Sequence, residues 1–488
     1  MPKLLKTIEL LFEEEGLFGK IDFHVFAWEL TQLDLKILSY ETPKIYKQLF
    51  VDQDTSYLTS IAQSLWSVYH IFGKPSLGLF HGKYSKFIAN LLDNWLEEYG
   101  EPERPDSDLG CILVFDRDID YASVLLMPGT YTSLISEVMN ISSGTVELKQ
   151  QNKEKKELAI SMQLTSNDEI YNQIKNRHFS DVNVYLKQKA QELINEKNKG
   201  TNMGIQEMKN FVSNRLKNLK QESLALSNHF NICEKICNEM GRKFESINNC
   251  QTNILYGNSR KEVLTEIEDM ISTSSEDMFL PLRLICLLSL AQNDFSVEES
   301  MNLKKQFLHS YGFEHLSTFY NLEKHGLFSS SPSPGEISAK IANKVAQVVP
   351  FPKKNSFQTT VQKFKLFPNL SKSTCLKNPQ DASYIFGGAY IPLVAQIVTY
   401  LIRKEMSLND LVKGLPCGIN EKSETKLIGN QVDNFIDIKP NSIFIYIVGG
   451  ITYAEIAALQ FLESKTGTRI ICSGSSIINA KSLLQSTI

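Results

Sequence analysis

Asp116, Asp118 and Asp120 follow the apolar run Cys111–Phe115 at alternate positions. A DxDx[TV] motif at a strand end can supply a nucleophilic carboxylate and, two residues on, a general acid for phosphoryl transfer. Here the fifth position is Asp120 instead of Thr or Val, and no accompanying lysine and acidic pair stands at a convincing strand end. Carboxylates in such a place also cap the next helix or pair with an arginine, and Arg117 is adjacent. Phosphatase chemistry through Asp116 and Asp118 is therefore a competing reading, with a structural role for Asp116, Arg117 and Asp120 preferred.

Two glycine turns come near to phosphate loops. Gly78-Leu79-Phe80-His81-Gly82-Lys83-Tyr84 has three residues between its glycines where GxxxxGK[ST] has four, and Tyr84 replaces the magnesium-binding hydroxyl. Gly449-Gly450-Ile451-Thr452-Tyr453-Ala454-Glu455 lacks the third glycine of a dinucleotide fingerprint. Its plainer reading is a strand–turn–helix in which Gly449 and Gly450 permit the turn and Thr452 with Glu455 forms a capping box. The eight histidines are scattered with no HExxH, and the eight cysteines include no CxxC. No metal and no cofactor is expected.

The elements that must position these residues are legible as periodicity. Gly78–Phe80 and Cys111–Phe115 read as fully apolar strands, each followed by an amphipathic helix, at Ser85–Trp95 and Tyr131–Met139. Ser442–Val448 and Arg469–Cys472 repeat the pattern, with helices at Tyr453–Leu462 and Ile477–Leu484. Apolar strands alternating with helices imply a parallel sheet covered on both faces. Between them the chain is helical. Capping boxes are expected at Ser259/Glu262 and Ser296/Glu299, helix ends at Gly312 and Gly326, and an apolar core helix at Leu280–Leu290. The fold class is thus α/β with an all-α insertion. Its expected parts are a remnant at 1–45, a discontinuous α/β domain at 46–165 and 335–488, a helical insertion at 166–328 and a linker at 329–335.

Composition bounds the rest. The 488 residues are 42% hydrophobic and 22% charged, with 51 Lys+Arg against 55 Asp+Glu. That is a globular chain of several units without the basic excess of a nucleic-acid binder. Ala382–Ile402 is uncharged for 21 residues, but Gly387-Gly388 and Pro392 favour a buried strand–turn–helix over a membrane span. The opening residues lack the apolar core of a signal peptide, so a cytosolic protein is expected.

The insertion carries the remaining signal. Ile205, Val212, Leu219, Leu226, Cys233 and Met240 recur every seven residues, as in a long helix of an antiparallel hairpin at about 181–240. From Lys187 to Glu222 there are eight basic and four acidic residues, +4 within a chain of −4. A basic helical hairpin, with Lys209, Arg215, Lys217 and Lys220 on its second arm, suits an acidic helical partner. A merely solvated helix face is the equal alternative.

Five collinear stretches carry a resemblance. They are Leu113–Asp120, Met203–Val212, Leu280–Ser289, Phe386–Leu393 and Gly449–Leu459. Together they resemble the SM (Sec/Munc-like) proteins, in the class C vacuolar-protein-sorting thirty-three branch, B type, with a Sec1-like arch. The resemblance implies a non-enzymatic regulator of membrane fusion that binds SNARE proteins on the hairpin, peripheral on late endosome and lysosome membranes. It also implies an α-helical vacuolar-protein-sorting partner subunit, of the sixteen type or its B-type homologue. A scaffold that binds only that partner and never touches SNAREs is the second alternative. Residues 1–45 resemble only the last part of the family's N-terminal α/β domain.

Overall fold

The computed structural model describes residues 2–17, 19–21, 29–102, 107–151, 157–199, 216–241, 243–273, 277–292, 294–330, 356–368, 376–416, 425–428 and 442–488. Among these residues ten strands form two sheets. The larger contains β1 (Thr31–Asp34), β2 (Ile37–Ser39), β3 (Leu77–His81), β4 (Cys111–Asp116), β8 (Thr425–Ile428), β9 (Ser442–Val448) and β10 (Arg469–Gly474), in the order β1-β2-β10-β9-β4-β3-β8. The five inner strands are parallel, and β1 and β8 close the two edges antiparallel. β4 and β9, side by side at the centre, bury every residue. That is why both read as unbroken apolar runs instead of alternating ones.

The pairing of Cys472–Gly474 with Ile37–Ser39 makes residues 31–39 part of this sheet. Within the stretch 1–45, β1 and β2 thus extend the same sheet as β10, β9, β4 and β3. A second sheet, β5 (Ile141–Ser142), β6 (Thr145–Gln151) and β7 (Glu157–Gln163), is a small antiparallel meander that the sequence pattern did not announce.

Two cores divide the chain differently from its linear segments. One joins the main sheet to the helices between Cys250 and Phe328. The other runs from Met127 to Ile247 and packs the small sheet with the helical hairpin. Leu282–Leu288 is wholly buried in the first, as its apolar run required.

Four local expectations resolve at atomic detail. Thr452/Glu455 and Ser296/Glu299 form reciprocal capping boxes. Ser259 instead has φ +43° and offers its carbonyl to the Glu262 N–H, so that end is a left-handed turn and not the extended N-cap expected. Ala382–Phe386 is a 3-10 turn where a strand was expected; Asp381 caps it, and Gly387 ends it in the left-handed region. Leu393–Arg403 then follows as a buried helix. Among the described residues no helix is long and apolar enough to cross a membrane.

Candidate functional site

The glycine turn at Gly78–Tyr84 and the aspartate motif at Asp116 meet and satisfy each other. Helix Lys83–Tyr99 starts at Gly82, and its first N–H groups need an acceptor. Asp116, at the end of β4, provides it: Oδ2 accepts from the Tyr84 N–H and Oδ1 from the Ser85 N–H, both at 2.8 Å. The Ser85 hydroxyl donates to the same Oδ1. The helix N-terminus that could have cradled an anion thus holds one from its own chain. Gly82 is required there, since with φ +125° a Cβ would lie 2.3 Å from Asp116 Cγ. Asp116 is 2% exposed. Burial, helped by the Asp118 charge, pushes its carboxyl up to about 7, against the pull of its donors.

Arg117 turns into the opposite side of the junction. Its Nη1 and Nη2 donate to Glu455 Oε2 and Oε1, both at 2.8 Å, and Nη1 also reaches the Gly450 carbonyl at 3.2 Å. Both side chains are fully buried. Glu455 simultaneously accepts from the Thr452 N–H and hydroxyl. Gly449 (φ +99°) brings the backbone against Arg117 Cβ and Phe50, where a side chain would collide. Asp120 accepts from Ser123 N–H and hydroxyl, the Tyr390 hydroxyl and the Leu393 N–H, so one carboxylate caps two helices. This constellation is a keystone that ties β4 to three distant segments. Among the described residues no group of three or more His, Cys, Asp or Glu is placed to hold a metal.

The hairpin consists of helices Phe179–Lys199 and Leu216–Met240. Its root is fixed by His229, which is completely buried. Nδ1 lies 2.8 Å from the Tyr131 hydroxyl and Nε2 lies 3.2 Å from Asp168 Oδ2. Asp168 in turn caps helix Glu169–Ile174 through the Ile170 and Tyr171 N–H groups. Leu219, Leu226 and Cys233 of the heptad row are buried against this frame, and Lys189 lies 3.9 Å from Glu222 across the two arms. Val184, Ile194 and Leu224 are instead 42%, 53% and 62% exposed. Lys220 is exposed, Lys217 lies in the second helix, and Lys209 and Arg215 lie outside the described residues.

A second exposed surface lies on the segment Phe313–Lys324. Phe313, Leu316 and Tyr320, at i, i+3 and i+7, share one face and are 69%, 61% and 67% exposed. The ring of His309, at the end of the preceding helix, packs edge-on against Phe313.

Residues 2–486 match the Sec1 family. The human vacuolar protein sorting-associated protein 33B is 30% identical over 501 aligned positions, covering 99% of this chain and 80% of that protein. This chain belongs to the Sec1 family. The Arabidopsis thaliana vacuolar protein-sorting-associated protein 33 homolog is 24% identical, with the same shares covered. Among solved structures, the Unc18 of the Unc18–syntaxin 1 complex from Monosiga brevicollis superposes with a TM-score of 0.67 at 15% identity, over 94% of this chain and 76% of that one. Vps45 in complex with the Qa SNARE Tlg2 gives 0.65 at 15%, over 94% and 75%. These place the chain in the SM fold.

For this Sec1-family chain, the residues singled out on sequence sort into two sets. Asp116, Arg117, Asp120, Gly449, Gly450, Thr452 and Glu455 converge on one buried junction. Lys217 and Lys220 lie elsewhere, on the hairpin. Neither His229 nor the Phe313 face stands out in the sequence. The i, i+3, i+7 spacing of Phe313, Leu316 and Tyr320 was visible, but only exposure separates such a stripe from a core-facing one.

Proposed function

We propose that this Sec1-family protein binds SNARE helices along the hairpin 179–240 and regulates membrane fusion in transport to late endosomes and lysosomes, without catalysis. The observation that carries this is the hairpin itself. It is locked at its root by His229 and leaves Val184, Ile194 and Leu224 exposed along its arms. A rigid frame with unpartnered apolar side chains and a basic sequence between Lys187 and Glu222 fits an amphipathic acidic helix. The solved neighbours, Unc18 in complex with syntaxin 1 and Vps45 in complex with the Qa SNARE Tlg2, support SNAREs as that helix. The non-catalytic reading is supported by Asp116, whose two carboxylate oxygens are engaged by Tyr84 and Ser85.

The Phe313–Leu316–Tyr320 face supports a further partner. Three large apolar side chains on successive turns suit an α-helical surface, as in a vacuolar-protein-sorting subunit of the sixteen type or its B-type homologue. The protein then works as a peripheral subunit of a tethering complex. The direct test is amide exchange of the purified full chain with and without a soluble Qa-type SNARE segment. Protection within 179–199 and 216–240 is expected; protection elsewhere only, or none, overturns the reading.

A further inference from the structure

The edge of a sheet is an open row of backbone N–H and C=O groups that another strand can join. In this fold β1, β8 and β5 are blunted edges. β1 has four residues and a register shift between Gln32 and Asp34. β8 has four and carries Lys426, which is paired with Asp93. β5 has two. β7 is different. It runs for seven residues, Glu-Leu-Ala-Ile-Ser-Met-Gln, with no Pro, no Lys and no break in its register with β6. Among the described residues no other strand pairs with it.

The backbone fixes which groups face that open edge. Ser143 (φ +47°) and Gly144 (φ +72°) form the two-residue turn that joins β5 to β6. Such a turn closes on a hydrogen-bonded pair, here Ser142 with Thr145. The Thr145 backbone therefore serves β5, and that of Val146 serves β7. At the end of the ladder the Leu164 N–H donates to the Gly144 carbonyl at 2.8 Å, which keeps the same parity. On β7 the even-numbered residues are thus bonded to β6. Glu157, Ala159, Ser161 and Gln163 turn their N–H and C=O groups outward. Met162 is buried while Ser161 and Gln163 are exposed, the alternation of a sheet with one wet face.

We infer that β7 is the seam of a two-fold dimer, in which it pairs antiparallel with β7 of a second copy of this chain. A joining strand must offer its free backbone groups at the same parity, apolar residues at the even positions and no like charge opposite Glu157. A second β7, placed about a two-fold axis at Ile160, meets all three requirements. Odd positions then face odd ones: Glu157 stands opposite Gln163 and Ala159 opposite Ser161, while Leu158 stands opposite Met162. The interface is isologous, so each such pair occurs twice and the contact closes without further growth. Two three-stranded sheets become one, with the short β5 at each end. Because the small sheet and the hairpin share one core, the dimer also couples two hairpins.

The test is sedimentation equilibrium of the purified full chain from about 1 to 100 µM at low salt, a range that covers weak and moderate self-association. The natural chain should dimerise. Three variants alter positions outside the β6 ladder. Gln163→Lys puts a cation opposite Glu157 in each copy and should tighten the dimer at least about threefold. Gln163→Glu puts two carboxylates there and should loosen it as much. Ser161→Pro removes an outward N–H only, which spares the β6 ladder. It should weaken the dimer at least about tenfold, since each copy loses a bond to the other. A natural chain that stays monomeric overturns the proposal. So does a dimer whose affinity is the same in Gln163→Lys and Gln163→Glu, because it then forms elsewhere. Amide exchange at 157–163 that slows only when a soluble SNARE segment is added would give the edge to that partner and equally overturn self-pairing. Should Ser161→Pro not fold, the two changes at the exposed Gln163 decide alone.

Discussion

Arg117 and Glu455, 338 residues apart in sequence, meet in two parallel 2.8 Å hydrogen bonds with neither side chain reaching solvent. The pair joins the end of β4 to the first turn of helix Tyr453–Thr466, and so closes the discontinuous domain. Removing one partner leaves the other charge buried without compensation, at a cost of about 3–5 kcal/mol. Glu455→Ala is expected to lower stability by that amount in urea unfolding. The apolar double replacement Arg117→Met/Glu455→Leu should cost less than the single change. A Glu455→Ala loss below about 1 kcal/mol would contradict a structural keystone.

Asp116 and Gly82 form a second coupled pair. Gly82→Ala places a Cβ on the Asp116 carboxyl and forces a side chain into positive φ, so it should destabilise by more than about 1 kcal/mol. In an Asp116→Gly background the contacts with the carboxyl and the Cβ both disappear, and the same change should cost less. A double-mutant cycle in urea measures the difference. Additive effects would show that the two residues do not touch.

Much of this junction is legible in the amino-acid sequence. The unbroken apolar runs of β4 and β9 announced central strands, and Thr452 with Glu455 announced a capped helix. What spacing could not show is that Asp116 caps a helix 31 residues upstream, because that contact runs between neighbouring strands. Residues 384–386 read as a strand by composition, yet Asp381 and Gly387 bracket them into a 3-10 turn. His229 gives no such signal in the sequence, because its role comes from Tyr131, Tyr171 and Asp168, which lie far from it along the chain. The Phe313 face carried a helical stripe whose outward direction only the fold could supply.

Acid should weaken the fold through histidines. His81, His178 and His325 are each under 10% exposed, and burial lowers the pKa of all three. The folded chain then refuses protons that the unfolded chain accepts near pH 6.5. Their contribution to stability is present above about pH 6.5 and is lost as pH falls below it. Between pH 7.5 and 5.5 the urea midpoint of the natural chain should therefore fall relative to that of His81→Gln, while proton uptake by the buried Asp116 carboxyl, pushed up to about 7, acts on both proteins in the opposite direction. A difference between the two proteins that does not change with pH would contradict this.

The exposed face should separate folding from assembly. Phe313→Asp with Tyr320→Ser removes two side chains that are mostly in water, so stability should change by no more than about 0.5 kcal/mol. Co-purification of an α-helical partner subunit from cells should be lost. Retained co-purification would move the partner to another surface.

Charge reversal on the hairpin tests the central claim most directly. Lys209, Arg215, Lys217 and Lys220 changed together to Glu alter the stretch 209–220 by eight charge units. Each exposed pair contributes only about 0–1 kcal/mol, so the changes are informative only as a set. Affinity for a soluble Qa-type SNARE segment is measured for both proteins from 50 to 500 mM salt. SNARE binding on this hairpin predicts a large loss at low salt that narrows as screening increases. Equal affinity of the two proteins at every salt concentration would contradict it.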